Sequence, residues 1–178
     1  MRVITGTARG RKLKTPPDYD VRPTTDNVKE CIFNIISFDI EGRRVLDLFA
    51  GTGQLGIEAL SRGAAEAVFV DNSQDSLKIV KENLRLCGFT AHVFQSDAVS
   101  FLKSASKFDI IFVDPPYDSA LYEPVIDTIV GFDLLNDGGI IIVESRKEYA
   151  VPSPPQPYVL KKEYSYGRIK LSKIIKEC

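Results

Sequence analysis

Histidine is almost missing from this sequence, cysteine is scarce, and no hydrophobic run is long. The one histidine is His92, and the three cysteines are Cys31, Cys87 and Cys178. They share no ligand spacing, which argues against a protein zinc site, and an odd number of scattered thiols argues against a disulfide framework. Reduced thiols, no resident metal and a cytoplasmic location are the expectation. No apolar stretch approaches the ~20 residues of a membrane-spanning helix. Met1 to Lys14 carries charges but no apolar core of the kind a signal peptide needs. A surplus of one charge sign is also lacking, since 23 Lys and Arg face 24 Asp and Glu for a net charge of -1.

What is present is an ordinary globular composition, 44% hydrophobic and 26% charged, in 178 residues. That length suits one domain with a real core, and a monomer is the expectation. The near-neutral total conceals an uneven distribution. Residues 1–22 hold Arg2, Arg9, Arg11, Lys12, Lys14 and Arg22 against Asp18 and Asp20, a net +4. Residues 161–178 hold Lys161, Lys162, Arg168, Lys170, Lys173 and Lys176 against Glu163 and Glu177, again +4, so the middle carries -9. Two basic ends around an acidic body fit a nucleic-acid binder gripping phosphate through its termini, or equally a pair of solvated surface segments.

In chain order, residues 1–22 read as an irregular or hairpin-like arm with turns at Gly6 and Gly10, set on a core of residues 23–178. Thr24 or Thr25 can cap a helix whose Val28, Ile32, Ile35 and Ile36 share a face and which ends near Ser37. From Arg44 strand and helix alternate. Strands are expected over Val45–Phe49, Ala67–Asp71, Ala91–Gln95, Asp109–Val113 and Ile140–Glu144. Helices are expected over Gln54–Arg62, from a Ser73 cap to Cys87, over Ala98–Lys103 and over Tyr122–Leu135. This order predicts a mostly parallel sheet with helices on both faces. After the proline-rich 152–157 segment, Tyr158–Tyr164 and Arg168–Ile175 alternate as an antiparallel hairpin would. The fold class is therefore α/β, Rossmann-like, with a seven-stranded sheet ending in an antiparallel pair.

Asp114-Pro115-Pro116-Tyr117 follows an apolar strand, and consecutive prolines cannot continue a ladder. The chain must turn out at the carboxyl end of that strand, where open α/β sheets bind ligands. A carboxylate, the Pro115 carbonyl and an aromatic face would meet there, a set suited to an exocyclic amine on a flat ring. The plain alternative is a proline-rich strand-ending turn. Upstream, Gly51-Thr52-Gly53-Gln54-Leu55-Gly56 matches G-x-G-x-x-G, with an acid, Asp71, about twenty residues on. Taken alone the pattern suggests a dinucleotide. However, Asp47, Asp71, Asp97 and Asp114 all end or follow strands, and the glycine loop has no Lys or Arg. Such an edge repels a pyrophosphate and suits a ligand with cationic groups, such as S-adenosylmethionine. Asp71 could hold the ribose hydroxyls and Asp97 the adenine amine; as the alternative, Asp97 caps a helix.

D-L-F-A-G-T-G-Q-L-G-I-E-A-L (Asp47 to Leu60), Asp71, Q-S-D-A (Gln95 to Ala98) and D-P-P-Y together resemble a class I, Rossmann-like methyltransferase. R-V-I-T-G-x-x-R-G-R-K-L (Arg2 to Leu13) and R-P-T-x-D-x-V-K-E-x-I-F-N-I (Arg22 to Ile35) are similar to one branch, the RsmD family. The closing Tyr166-Gly-Arg-Ile-Lys-Leu also fits, so the resemblance spans nearly the whole chain. It departs in the loop, where family members often have G-S-G-A-L-G. The resemblance implies methyl transfer from S-adenosylmethionine to N2 of a guanine in small-subunit (16S) rRNA, free or in the small ribosomal subunit. It implies cofactor contacts from Asp47, Gly51, Gly53, Asp71 and Asp97, and target-base contacts from Asp114, Pro115 and Tyr117. Asn72 and Ala98 are further expected cofactor contacts, and Phe49 belongs to the core or to the wall of the cofactor pocket. Arg9, Arg11, Lys12, Arg22 and Arg168 are the expected RNA contacts. His92 reads as a half-exposed strand residue before a base. Tyr164 and Tyr166 serve hairpin packing or RNA stacking. Glu144, at the same sheet edge, has no assigned role. Competing readings are adenine N6 methylation of DNA, a catalytically silent RNA-binding scaffold on this fold, and an NAD-dependent oxidoreductase.

Overall fold

The computed structural model describes residues 1–16, 26–116 and 120–177. Its elements run α1 (Asp26–Ile35), β1 (Arg44–Asp47), α2 (Gln54–Ser61), β2 (Glu66–Asp71), α3 (Gln74–Cys87), β3 (His92–Gln95) and α4 (Ala98–Leu102). They continue with β4 (Phe108–Val113), α5 (Tyr122–Gly131), β5 (Leu135–Arg146), β6 (Tyr158–Tyr166) and β7 (Ile169–Lys176). The strands form a seven-stranded sheet in the order β3-β2-β1-β4-β5-β7-β6. The first five are mutually parallel, and β7 runs antiparallel to both β5 and β6.

The central strands are nearly continuous apolar runs because both sheet faces are covered. Leu46, Val68, Val70, Ile111, Val113, Ile141 and Val143 point to the face covered by α4 and α5. Val45, Ile110, Phe112, Ile140 and Ile142 point to the opposite face, beneath α1 and α2. Ala67 and Phe69 pack there with α3 and with Val3, Ala8 and Leu13 of the N-terminal arm. The period of two along each strand thus decides which helix layer each residue meets. α3 has both expected ends: Ser73 Oγ accepts the Ser76 N–H, and Gly88 closes the helix at φ 76°.

Two boundaries differ from the sequence expectation by more than two residues. α5 stops at Gly131, and Leu135 already belongs to β5. Asp133 turns the chain at φ 50°, held by Lys107, Lys176 and the Tyr158 hydroxyl. Helical periodicity through Leu134 and Leu135 misled because both side chains are buried from a turn and a strand start. The Gly138-Gly139 pair lies inside β5 rather than before it. Residues 136–139 bulge out between the Phe108–Leu135 and Ile110–Ile140 pairings. Gly138 there has φ 73°, and a Cβ on Gly139 would stand 2.7 Å from the Asn136 carbonyl oxygen.

Within the described residues 1–16 the chain doubles back, with an antiparallel bridge between Arg2 and Lys12; the rest of the 1–22 arm lies outside the described residues. The arm has too little apolar surface for its own core, so it borrows α2 and α3. Glu58 of α2 accepts the N–H groups of Ile4 and Thr5 at 2.8 and 3.0 Å. Ser61 Oγ accepts from Ala8 and donates to the Thr5 carbonyl. Gly6 is required here, because a Cβ would fall 1.6 Å from the Ser61 carbonyl oxygen. The expected cap at Thr24 or Thr25 lies outside the described residues. No described helix is long and apolar enough to cross a membrane.

Candidate functional site

Leaving β1, the chain passes to β2 and then β3 on one side, whereas β4 and β5 lie on the other side of β1. The point where strand order reverses therefore lies between β1 and β4, and such points open a crevice at the carboxyl ends of the strands. The register aligns Asp47 with Phe69 of β2 and Phe112 of β4, and Asp71 with Gln95 of β3. Four carboxylates consequently follow one another along a single edge in the order Asp97, Asp71, Asp47, Asp114. The loop after β1 and the proline turn after β4 flank the crevice.

Asp47 is 3% exposed and accepts the Gly56 N–H at 2.9 Å. Burial pushes its carboxyl up to about 7, opposed by that hydrogen bond and assisted by the nearby negative charge of Asp71. Asp71 is spread over two backbone donors, accepting from Gly51 and Ser73 at 2.8 Å each. It thus fixes the glycine loop to the start of α3. Gly51 and Gly53 have φ 53° and 79°, values a residue with Cβ rarely adopts. Gly56 lets α2 press onto the sheet, since a Cβ there would lie 2.3 Å from a Phe69 ring carbon.

Asp97 sits at the N-cap of α4 and accepts the Ser100 N–H at 2.9 Å. Its hydrogen bonds with Ser100 hold it below the ordinary carboxylate range. One oxygen is therefore a cap, and the residue remains exposed at the edge. Asn72 offers its carbonyl to the Gln95 side chain at 3.3 Å. Ala98 is buried, and Phe49 is half-buried against the α4–α5 core layer. Beyond β4, Asp114 is half-buried and Pro115 buried. Tyr117 lies outside the described residues, as does Arg22.

Arg9, Arg11 and Lys12 are exposed on the arm, and Arg168 is exposed in the hairpin turn. That turn lies at the carboxyl edge, because Arg146 at the end of β5 pairs with Ile169. Much of the remaining C-terminal positive charge is committed elsewhere. Lys170 pairs with Glu163, Lys173 with Asp39, and Lys176 with Asp133 and Asp137 at the opposite edge. His92 is exposed, its ring stacked on Phe94 with centroids 6.3 Å apart. Tyr164 and Tyr166 pack against the α1 layer, and Glu144 is buried in β5 beside Leu171.

Three polar residues escaped the sequence reading. Lys29 and Glu58 are both fully buried, 3.2 Å apart, and Glu58 also accepts from Arg62 at 2.9 Å. The signal was available, since Lys29 interrupts the stripe of Ile32 and Phe33, and Glu58 is the lone charge between Ile57 and Ala59. Asn83, 0% exposed on α3, reaches both the arm and the glycine loop; nothing local distinguishes it from a solvated helix amide.

The carboxyl edge thus gathers carboxylates around a close-packed glycine loop, with the Asp114-Pro115 turn on the neighbouring strand. The YlbH protein of Bacillus subtilis is 41% identical over 173 residues, covering 94% of each chain. The Escherichia coli (strain K12) protein named ribosomal RNA small subunit methyltransferase D is 39% identical over 171 residues, covering 95% of this chain and 86% of that one. The solved structure of the Escherichia coli protein yhhF superposes with a TM-score of 0.88 at 37% identity, covering 100% of this chain and 98% of that one. The model of the family described as Conserved hypothetical protein 95 matches residues 1–175, and with these relatives it establishes that the chain belongs to that family, the RsmD family of class I methyltransferase fold.

Proposed function

We propose that this protein transfers a methyl group from S-adenosylmethionine to the exocyclic N2 of a guanine in small-subunit rRNA. The observation that carries this reading is the juxtaposition of two loops at the switch point. The Asp47–Asp71 glycine loop lies on one side and the Asp114-Pro115 turn on the neighbouring strand. Family membership, with a relative named for small-subunit rRNA methylation, supplies the substrate class.

The donor set fits the cofactor. Asp47, Asp71 and Asp97 offer negative charge to its cationic and hydroxyl groups, and the glycine loop holds no side chain that would repel them. The cofactor supplies a methyl on a cationic sulfur, passed to nitrogen as the C–S bond breaks and sulfur keeps the electron pair. The rest falls to this chain. Guanine N2 is a weak nucleophile because its lone pair is delocalised into the ring. The Asp114 carboxylate and the Pro115 carbonyl accept its two N–H bonds, favouring tetrahedral nitrogen and stabilising the positive charge that develops there. The surplus proton leaves to Asp114 or to water. Tyr117 stacks on the base, which is splayed out of its RNA context to reach the turn. Holding both reactants in attack geometry supplies up to ~7–11 kcal/mol of the acceleration. Arg9, Arg11, Lys12, Arg22 and Arg168 hold phosphates.

Methyl-labelled S-adenosylmethionine, incubated with unmethylated small subunits, naked small-subunit rRNA and duplex DNA, tests the reading. Label should appear as N2-methylguanosine in subunits or rRNA and vanish with Asp114→Ala. Label in DNA as N6-methyladenine would replace the substrate, and cofactor binding without any transfer would make the protein a silent scaffold.

A further inference from the structure

Asn83 joins two parts of the molecule that are distant in sequence. Its Oδ1 accepts the Lys14 N–H at 2.7 Å, and its Nδ2 donates to the Lys14 carbonyl at 3.1 Å and to the Thr52 carbonyl at 2.9 Å. The orientation of the amide is fixed by these partners. Turned over, it would set an oxygen against two carbonyls and an NH2 against an N–H. The side chain therefore pairs with Lys14 as a neighbouring strand would, and spends its remaining donor on the middle of the glycine loop.

The Thr52 carbonyl is the point where that loop most needs a partner. It belongs to the peptide that joins Thr52 to Gly53, and Gly53 at φ 79° offers that peptide little steric resistance to rotation, with Gly51 at φ 53° one residue before. Asp71 fixes the loop at the Gly51 N–H, and the Ala50 carbonyl accepts from Gly53 at 2.6 Å. Asn83 supplies the third point. The arm touches the loop once more, where Thr52 Oγ1 lies 3.2 Å from Met1 Sδ. Lys14 in turn stands two residues beyond Lys12 and at the foot of the hairpin that carries exposed Arg9 and Arg11.

We infer that Asn83 is a positioning residue that couples the arm to the cofactor loop, so that RNA held by the arm tightens cofactor binding and cofactor tightens RNA binding. This rests on the function proposed above. The Lys14 peptide can satisfy Asn83 only while the arm lies on α2 and α3. A phosphate grip that keeps the arm seated therefore keeps the Thr52 carbonyl oriented. Linkage requires the effect to be equal in both directions.

The test is equilibrium dialysis of labelled S-adenosylhomocysteine against the full-length protein, with and without saturating unmethylated small subunits. The converse is filter binding of subunits with and without S-adenosylhomocysteine. The wild type should show the same enhancement in both, roughly fivefold or more. Asn83→Leu, which removes all three bonds at similar volume, should bring both ratios to one while subunit affinity without the cofactor product stays within about twofold of wild type. Lys14→Pro deletes the backbone donor together with the Glu82 ion pair and should behave likewise, whereas Lys14→Ala loses the same ion pair but keeps both backbone bonds and should keep the coupling. Lys14 is exposed, so the proline and alanine pair decides the matter if Asn83→Leu does not fold. The inference is overturned by a wild-type ratio of one when both ligands bind, or by coupling that survives in Lys14→Pro. A wild type that binds neither ligand overturns the proposed function itself.

Discussion

At the level of single residues, Asp47 carries the sharpest consequence. Its carboxyl is raised to about 7 chiefly by burial, so the folded protein holds this proton more tightly than the unfolded chain does. Stability derived from that proton is complete below the unfolded value near 4, and it is lost as pH rises through about 7. An Asn side chain would keep an acceptor for the Gly56 N–H and never ionise. Thermal melts should therefore show wild type losing stability between pH 5 and pH 8 while Asp47→Asn loses less, with on the order of 3–4 kcal/mol as the upper bound. Parallel curves would show that Asp47 is solvated. A cationic ligand favours the ionised form, so cofactor binding should release a proton. Calorimetry at pH 7 in buffers of differing ionisation enthalpy would detect it, and Asp47→Asn should abolish the buffer dependence. Gly56 makes a simpler statement. Alanine there meets the Phe69 ring at 2.3 Å, so α2 must lift, costing about 1–3 kcal/mol and weakening cofactor affinity with it. An unchanged melting temperature would mean that the ring moves aside freely.

Elements show which parts of the fold were legible beforehand. Alternation of apolar runs with capped helical stretches was enough to locate β1 to β4 and α2 to α4, because there local preference and tertiary burial agree. Ser73, Gly88 and Asp97 mark helix ends by side chains that serve the same purpose in any context. Agreement failed at α5 and β5, where Asp133 takes positive φ under partners far along the chain and Gly138 takes it inside a bulge of the β4–β5 pairing. The carboxylates of the site were readable because strand ends are readable, whereas Asn83 gains its meaning only when Lys14 and Thr52 arrive beside it. That the arm docks on the core was expected from its lack of a core of its own, but not which residues hold it. It rests on Glu58, whose two oxygens serve Ile4, Thr5, Lys29 and Arg62 inside the protein. Lys29 also donates to the Arg2 carbonyl, and burial lowers its pKa against the opposing charge of Glu58. Glu58→Gln would leave the Lys29 ammonium buried without its counter-ion, a change that costs about 3–5 kcal/mol. Denaturant unfolding should show that loss, and Glu58→Gln with Lys29→Met should regain much of it. If the single and double variants unfold alike, the pair contributes nothing to seating the arm.

Across the whole molecule, the question is which positive charges remain available to a polyanion. Counting charges by sequence gives two equivalent basic ends, but the fold treats them differently. At the C-terminal end Lys170 and Lys176 are buried with carboxylates, and Lys173 and Lys161 pair with Asp39 and Glu177. At the N-terminal end Arg2 pairs with Asp26 and Lys14 with Glu82. Arg9, Arg11 and Lys12 stay exposed with no ion pair among the described residues, on the hairpin fastened beside the glycine loop. Counter-ion release makes RNA affinity fall with salt by about 0.7 logarithmic units per phosphate neutralised on a single strand. Replacing Arg9, Arg11 and Lys12 together by alanine should therefore weaken RNA binding at low salt and flatten the plot of log affinity against log salt by about 2. Lys161→Ala with Lys173→Ala removes nearly as much formal charge and should leave the slope unchanged, because those lysines already face carboxylates. Filter binding of small-subunit rRNA over a salt series compares the two directly. Equal flattening in both variants would mean that RNA responds to the net charge of the protein and not to an arm placed at the mouth of the crevice.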